Sequence, residues 1–299
     1  MPPSGLPLRV RWTVDGREFN GPPDQLGRDW VIDKVTGWSS SPGVRDSQAA
    51  PRTGAHGSWP GTVYREARTI RLDGWVYAPT WEARRDAEHR LAALCSDPEG
   101  RYELRCTEET GDLVAGVVQD DATLVTVRPG GLWLDFSLQL VAADPRKYAA
   151  TEQTTTTRLP ASSTTGLDFV TGGGLTFTGG LDFGPQAFTG RANATNTGTA
   201  DTAPVFALAG PLTPPITITR RGGSTLTYLD PVTAEQRLII DTRERLVLLD
   251  NVPARTRAVV TDWDALTIPP AATGLYVLSH TDNPNPTATL TITWRSAWW

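Results

Sequence analysis

Lysine is almost missing from this chain of 299 residues: only Lys34 and Lys147 occur among 28 basic side chains, and arginine supplies the rest. The imbalance reads as the imprint of a G+C-rich coding genome rather than as arginine-specific chemistry. Concentrated positive charge is missing too. Basic and acidic residues nearly balance in both halves, and the formal net charge is −5. A phosphate grip is built from clustered Lys and Arg, so this distribution argues against nucleic-acid binding as the main activity. The two cysteines, Cys95 and Cys106, are too few for a disulfide framework and read as buried thiols. His56, His89 and His280 lie far apart with no CxxC, HxxxH or HExxH spacing, so no metal ion or other cofactor is expected.

Long apolar runs are also lacking. No stretch approaches the roughly 18 residues of a membrane span, and the opening MPPSGLPLRVRW has no apolar secretion-signal core. Synthesis and folding in a cytoplasm is the expectation. Helical periodicity is scarce, whereas Gly (28) and Pro (24) are plentiful, a pattern that points to a mainly β protein. The length suits two domains.

Strand alternation is clear in the first half. Leu8, Val10, Trp12 and Val14 share one face, and Asp15–Gly16 supplies a tight turn. A second strand is read around WVIDKVTGW. The stretch from Arg68 alternates Arg68, Ile70, Leu72 and Gly74 against Thr69, Arg71, Asp73 and Trp75. In LWLDFSLQLVAADP, Leu132, Leu134, Phe136, Leu138 and Leu140 hold one face while Trp133, Asp135, Ser137 and Gln139 hold the other. RYELRC and LVAGVVQDD read as further strands. One helix is expected, Thr80 to Cys95, with a stripe of Trp81, Arg84, Ala87, Leu91, Leu94 and Cys95. Residues 1–150 thus read as an α+β domain, an antiparallel sheet plus one helix. The segment Ser39–Pro60 follows no period and reads as a long loop.

From Thr151 the composition turns Thr- and Gly-rich. Residues 151–163 read as a linker, and a glycine-interrupted ribbon follows in which Gly166–Phe169 is echoed at Gly180–Phe183. Beyond Ala187, APVFALAG, ITITRRG, TLTYLDP, QRLIID, RLVLLD, LYVLSHT and TATLTITW alternate with turn signals, so residues 164–299 read as a β-sandwich. Asp241–Arg245 reads as a charged hairpin loop.

Glu66 and Asp73 lie too far apart along one strand to share a proton. Asp241 and Glu244 sit in a turn, with no sign of the cleft that holds a glycosidase pair. No G-x-S-x-G elbow or Cys–His–Asn set occurs, and Ser58 beside His56 has poor spacing for a nucleophile and base. A cell-wall hydrolase is therefore disfavoured. A carbohydrate-binding, host-adsorption module is the stronger rival, because the chain has 11 Trp and indoles suit apolar sugar faces. Trp263 and Trp294 lie in apolar-patterned stretches that read as core. Trp298 and Trp299 are expected to dock on the sandwich or on a neighbouring subunit, or to form a sugar platform.

In series, GAHGSWPGTVYREARTIRLDGWV, FSLQLVAADPRKY, NTGTADTAPVFALAGPLTPPITI, LIIDTRERLVL and WDALTIPPAATGLYV resemble the distal tail protein family of long-tailed bacteriophages, the siphophage tail-hub proteins. That resemblance implies a structural virion protein rather than an enzyme. Its first domain would close a six-fold ring at the end of the tail tube, followed by a galectin-like sandwich. The implied partners are further copies of the chain, the tube protein, the tape-measure protein, the tail-associated hub and baseplate proteins and receptor-binding proteins. DNA would pass through the lumen without specific binding, and no membrane insertion is implied.

On this reading the ring and partner interface draws on Gly57, Gly61, Tyr64, Arg71, Asp73 and Trp75. Arg71, Asp73 and Trp75 combine an aromatic with a charge pair, the usual mix of an interface anchor. Asp120 and Asp121 are candidates for the lumen lining, their plain reading being a solvated pair.

Overall fold

In the computed structural model, residues 10–45, 50–59, 61, 63–159, 190–279 and 287–299 are described. The chain forms two compact units, Met1–Thr151 with Trp298–Trp299, and Glu152–Ala297. The fold is mainly β, as read from the sequence.

The first unit opens with β1 (Arg11–Val14), β2 (Arg17–Phe19) and β3 (Asp29–Thr36). Four two-residue strands follow: β4 (Val44–Arg45), β5 (Ala50–Pro51), β6 (Ser58–Trp59) and β7 (Tyr64–Arg65). Next come β8 (Arg68–Tyr77), helix α1 (Trp81–Ala93), β9 (Tyr102–Glu108) and β10 (Gly111–Gln119). The unit continues through β11 (Leu124–Val127), β12 (Trp133–Ala142) and β13 (Lys147–Ala149).

The main sheet runs β2-β1-β9-β10-β12-β8-β3, with β11 beside β12 and β13 beside β10. Asn20 draws its two edges together. Its backbone N–H donates to Trp30 O (2.8 Å), Ile32 N–H donates to its Oδ1 (2.9 Å), and its Nδ2 donates to Ile32 O (3.2 Å) and Val10 O (2.9 Å). A side-chain amide carries a donor and an acceptor like a peptide unit, so Asn20 continues the ladder where a strand would otherwise be needed. Its φ of 62° is one that Asn tolerates.

The period-two readings of β8 and β12 hold. Arg68, Ile70, Leu72 and Val76 are buried on one side, and Leu134, Phe136, Leu138 and Leu140 lie buried in the same core. Gly74 is required by close packing: a Cβ there would come within 2.0 Å of Val31 O and 2.9 Å of the Phe136 ring.

Helix α1 begins where the sequence signals it. Thr80 is its cap, with Oγ1 accepting from Ala83 N–H at 3.1 Å. The helix is shorter than expected, ending at Ala93. Cys95, at φ 58°, donates its N–H to Asp15 Oδ2 (3.0 Å), so the β1–β2 turn meets the chain just past the helix. The buried residues of α1 itself are Ala83, Ala87 and Leu91. Trp81 departs from the expected stripe and is 62% exposed. It sits in the first turn and lies over Gly131, where any side chain would strike its ring. Both thiols are free and buried, and burial pushes each up to about 12.

An ion network centred on the buried Arg28 ties α1 to the β2–β3 connection. Arg28 donates Nε to Asp24 Oδ2 (2.8 Å) and Nη1 to Asp86, and Trp30 Nε1 also donates to Asp24 (2.9 Å). Burial raises the Asp24 carboxyl, but hydrogen bonds from Trp30, Arg28 and Leu26 outweigh it and hold the group below its ordinary value.

The second unit contains β14 (Gln153–Arg158), β15 (Arg191–Asn196), β16 (Val205–Ala209), β17 (Ile216–Arg220) and β18 (Thr225–Tyr228). It continues with β19 (Arg237–Asp241), β20 (Leu246–Leu249), β21 (Val252–Pro253), β22 (Ala258–Val260), β23 (Ala272–Ser279) and β24 (Thr289–Trp294). Two antiparallel sheets, β14-β24-β16-β19-β20-β21 and β15-β23-β17-β18-β22, contribute to one apolar core, which is the β-sandwich read from the sequence.

The linker reading of 151–163 is corrected for Gln153–Arg158. These residues pair with β24 from Gln153↔Trp294 to Arg158↔Thr289. Successive β-branched threonines favour a pleated strand over a solvated tether. The GLDF echo lies outside the described residues.

Two outcomes follow. Gly74→Val is expected to lose about 1–3 kcal/mol or more by overpacking, read as a lower urea midpoint with an unchanged slope. Because the folded Asp24 carboxyl is depressed, its contribution is complete above its ordinary pKa and lost as pH falls through the folded value. Asp24→Asn should therefore be less stable at neutral pH and lose less of its melting temperature on acidification below about pH 4.

Candidate interface surfaces

The face of β8 and β12 turned away from the apolar core carries the sequence-predicted trio. Arg71 Nε donates to Asp73 Oδ1 (2.8 Å) and to Ser137 Oγ (3.0 Å). Partial burial raises the Asp73 carboxyl, while hydrogen bonds from Ser137 and Arg71 more than offset it and leave the group depressed. Trp75 donates Nε1 to Asp33 Oδ1 (3.1 Å) and packs against Trp133 with ring centroids 4.9 Å apart. Trp133 also packs against Tyr77 at 4.8 Å. Arg128 closes this end with two hydrogen bonds to Asp135, through Nε (2.7 Å) and Nη2. The result is a half-buried aromatic row flanked by fixed ion pairs. Tyr77, Trp133, Arg128 and Asp33 join it although the sequence reading did not name them as interface residues. Strand parity across the β8–β12 pair would have found Trp133 and Asp135.

Gly57 lies elsewhere, within the segment Ser39–Pro60 read as an irregular loop, and Gly61 and Tyr64 follow that segment. That reading is corrected: the described residues form two short antiparallel pairs, β4 with β7 and β5 with β6. Val44 pairs with Arg65 and Arg45 with Tyr64; Ala50 pairs with Trp59 and Pro51 with Ser58. Gly43 O accepts Glu66 N–H (2.9 Å) beside the first pair, and Gly57 O accepts Arg52 N–H (3.1 Å) beside the second. Gly57, at φ 89°, lies in the connection between β5 and β6, and Tyr64, in β7, is 58% exposed. Gly61 is half-buried. The pattern escaped sequence analysis because alternation shows only where one face of a strand is buried, and the described side chains of β4 to β7 are all exposed.

The chain between β3 and β4 is held by buried cations. Arg68, on the inward face of β8, is 2% exposed. Its Nε donates to Pro145 O (2.8 Å), and its Nη1 faces Gly37 O (2.7 Å), Trp38 O (3.0 Å) and Ser40 O (2.6 Å). Burial lowers its pKa. Lys147 Nζ donates to the same Trp38 carbonyl (3.0 Å), and burial followed by the neighbouring Arg68 charge lowers its pKa. Gly37, at φ 88°, must be glycine, because a Cβ would meet Thr69 O at 1.9 Å.

Trp298 and Trp299 are half-buried and belong to the first unit, a placement the expected docking on the sandwich did not foresee. The Trp299 ring lies 5.8 Å from the Arg65 guanidinium and 5.6 Å from that of Arg146. Trp263 and Trp294 are buried in the sandwich core, and Trp294 Nε1 donates to Thr195 O (2.8 Å). Asp120 and Asp121 are exposed where β10 ends. Asp120 accepts from Gln139 Nε2 (2.6 Å), Asp121 accepts from Ala122 N–H (2.7 Å), and both line a cleft of about 390 Å³ with Asp97.

No protein-family model matches the sequence, and no curated protein matches it. Among solved structures, the chain aligns with the SPP1 Dit (gp 19.1) protein, described as a paradigm of the hub adsorption apparatus in phages infecting Gram-positive bacteria. The TM-score is 0.65 at 14% identity, over 97% of this chain and 99% of that one. Two structures of the phage p2 baseplate in its activated conformation, with Sr and with Ca, align at TM-scores of 0.45 and 0.44. Each is 12% identical, over 95% of this chain and 97% of that one. The chain has the fold of a phage Dit hub protein.

Arg68→Met is expected to cost about 3 kcal/mol or more, because several buried carbonyls lose their donor. Denaturant unfolding checks the loss. Arg68→Lys should recover only part of it, since one ammonium cannot span the Pro145 and Ser40 carbonyls as the guanidinium does.

Proposed function

We propose that this chain is a structural virion protein, the distal hub of a long bacteriophage tail. Copies close into a ring, six being the expected number, that joins the tail tube to the tail-tip or baseplate and host-recognition proteins. DNA passes through the ring during ejection. The partners on this reading are the tube protein, the tape-measure protein, the tail-associated hub proteins and, directly or through these, receptor-binding proteins.

The observation that carries the proposal is the alignment with the SPP1 Dit protein over nearly the whole of both chains. The aromatic row and its ion pairs are the materials of an interface rather than of a reaction centre. The perturbed carboxylates point the same way. Among the described residues, Asp24, Asp73, Asp86 and Asp135 are all shifted downward, the opposite of the elevated value a general acid needs at neutral pH. Asp120 and Asp121 face the lumen on this reading, where an acidic wall would repel passing phosphates rather than hold them.

Immunogold labelling of purified phage particles with antibody against this chain tests the proposal. Label confined to the far end of the tail is expected; label along the tube or on the capsid would refute it. A host cell-wall zymogram run with the purified protein should stay blank.

A further inference from the structure

Alternation breaks down on one outer face of the second unit. Residues of a sandwich sheet that point away from the core are ordinarily polar. The sheet β15-β23-β17-β18-β22 obeys this, with Thr217, Thr219, Thr225 and Thr227 turned outward opposite one another. β14 and β24 of the other sheet obey it too, where Thr156 and Thr291 share a hydrogen bond (3.2 Å). The neighbouring strands do not. β16, β19 and β20 send Phe206, Leu208, Leu238, Ile240 and Val247 into the core. Their outward positions are apolar as well: Val205, Ala207 and Ala209 on β16, Ile239 on β19, and Leu246 and Leu248 on β20. Leu246 is 41% exposed, and Val205, Ile239 and Leu248 are half-buried. Strands that are apolar on both faces are the mark of a sheet covered on both sides.

The charges on this face complement a copy of itself. β19 turns Arg237, Ile239 and Asp241 outward, with a cation at one end, an anion at the other and an apolar residue between. The carboxylate is already fixed, because Asp241 Oδ1 accepts from the N–H groups of Arg243 (2.9 Å) and Glu244 (3.0 Å). Consider a second copy laid face to face, related by a two-fold axis that runs between the sheets and crosses the strands at Ile239. Arg237 of each copy then meets Asp241 of the other. Ile239 meets its own counterpart, as do its cross-strand neighbours Ala207 and Leu248. One axis thus pairs both charges and lines up the apolar row.

We propose that the outward face of β16, β19 and β20 is a pairing surface for a second copy of this chain, built on a two-fold axis at Ile239. A contact of this kind is isologous and joins copies two by two. It is distinct from the head-to-tail contact that a ring repeats, and it does not rest on the hub reading. Three strands by three outward rungs cover about 300 Å², below the roughly 800 Å² a side of a standard interface. The pairing is therefore weak, and a covalent trap is the means to see it.

The test adds one thiol to the full chain, by Ile239→Cys or, separately, by Leu248→Cys; the native Cys95 and Cys106 are buried. Packed sheets stand about 10 Å apart, too far for a disulfide, so a short bismaleimide serves as the crosslinker. Each position faces itself across the axis, so each variant is expected to yield a covalent dimer bridged between like residues. The unmodified chain, and Thr219→Cys on the opposite sheet, should stay monomeric. Arg237→Glu should cut the yield of the Ile239→Cys dimer about tenfold by setting like charges against each other, whereas Arg237→Lys should keep most of it. Monomer from both thiol variants at high protein concentration overturns the proposal. Equal crosslinking of Thr219→Cys, or a yield indifferent to Arg237→Glu, does the same.

Discussion

A guanidinium without a carboxylate partner sits at the hinge of the first unit. Arg68 is buried among backbone carbonyls of Gly37, Trp38, Ser40 and Pro145, and an unpaired charge in such a place is costly. Carbonyl dipoles offset that cost only if the chain just after β3 and the chain just after β12 are held together around it. The cation therefore specifies a geometry. β3 must end in the left-handed turn at Gly37, Lys147 must share the Trp38 carbonyl, and the chain must leave β3 toward β4 from a fixed point. Its Nη2 has no partner among the described residues, which leaves the cluster short of complete satisfaction.

The fold was legible wherever one side of a strand is buried. The β8 and β12 faces, the Asp15–Gly16 turn, the cap at Thr80 and seven sandwich strands all followed from alternation and punctuation. The rest was hidden for identifiable reasons. The described residues of the β4–β7 and β5–β6 pairs have no buried face, so no period marks them. Gln153–Arg158 has the composition of a linker, and only its pairing with β24 makes it a strand. Arg68 could have been read: its position on the apolar parity of β8 announces a buried charge, although its carbonyl partners come from distant segments that no local pattern links. Asn20 and Lys147 gave no comparable signal, because each acts through a long-range contact with backbone.

The candidate surfaces were only partly legible. Arg71, Asp73 and Trp75 do share a face of the main sheet, yet Tyr64 lies in β7 and Gly57 between β5 and β6, off that sheet, so the residues first grouped together do not form one patch. This division suits a ring subunit better than a single patch would. A subunit in a closed ring meets two neighbours through different sides, and each side needs its own anchors. Fixed ion pairs beside half-buried aromatics suit such a role, since they hold the polar groups in place before contact and limit the ordering that association must impose.

Because Trp298 and Trp299 belong with Met1–Thr151, the units seen in space are not the units of a linear gene map. A fragment stopped at Thr151 would strip the guanidinium groups of Arg65 and Arg146 of their indole neighbour. A fragment begun at Glu152 and run to Trp299 would carry two tryptophans away from the surface they cover. Stickiness in either piece would then be a scar of the cut, and cleanly dividing the molecule means grafting the terminal dipeptide back onto the first half.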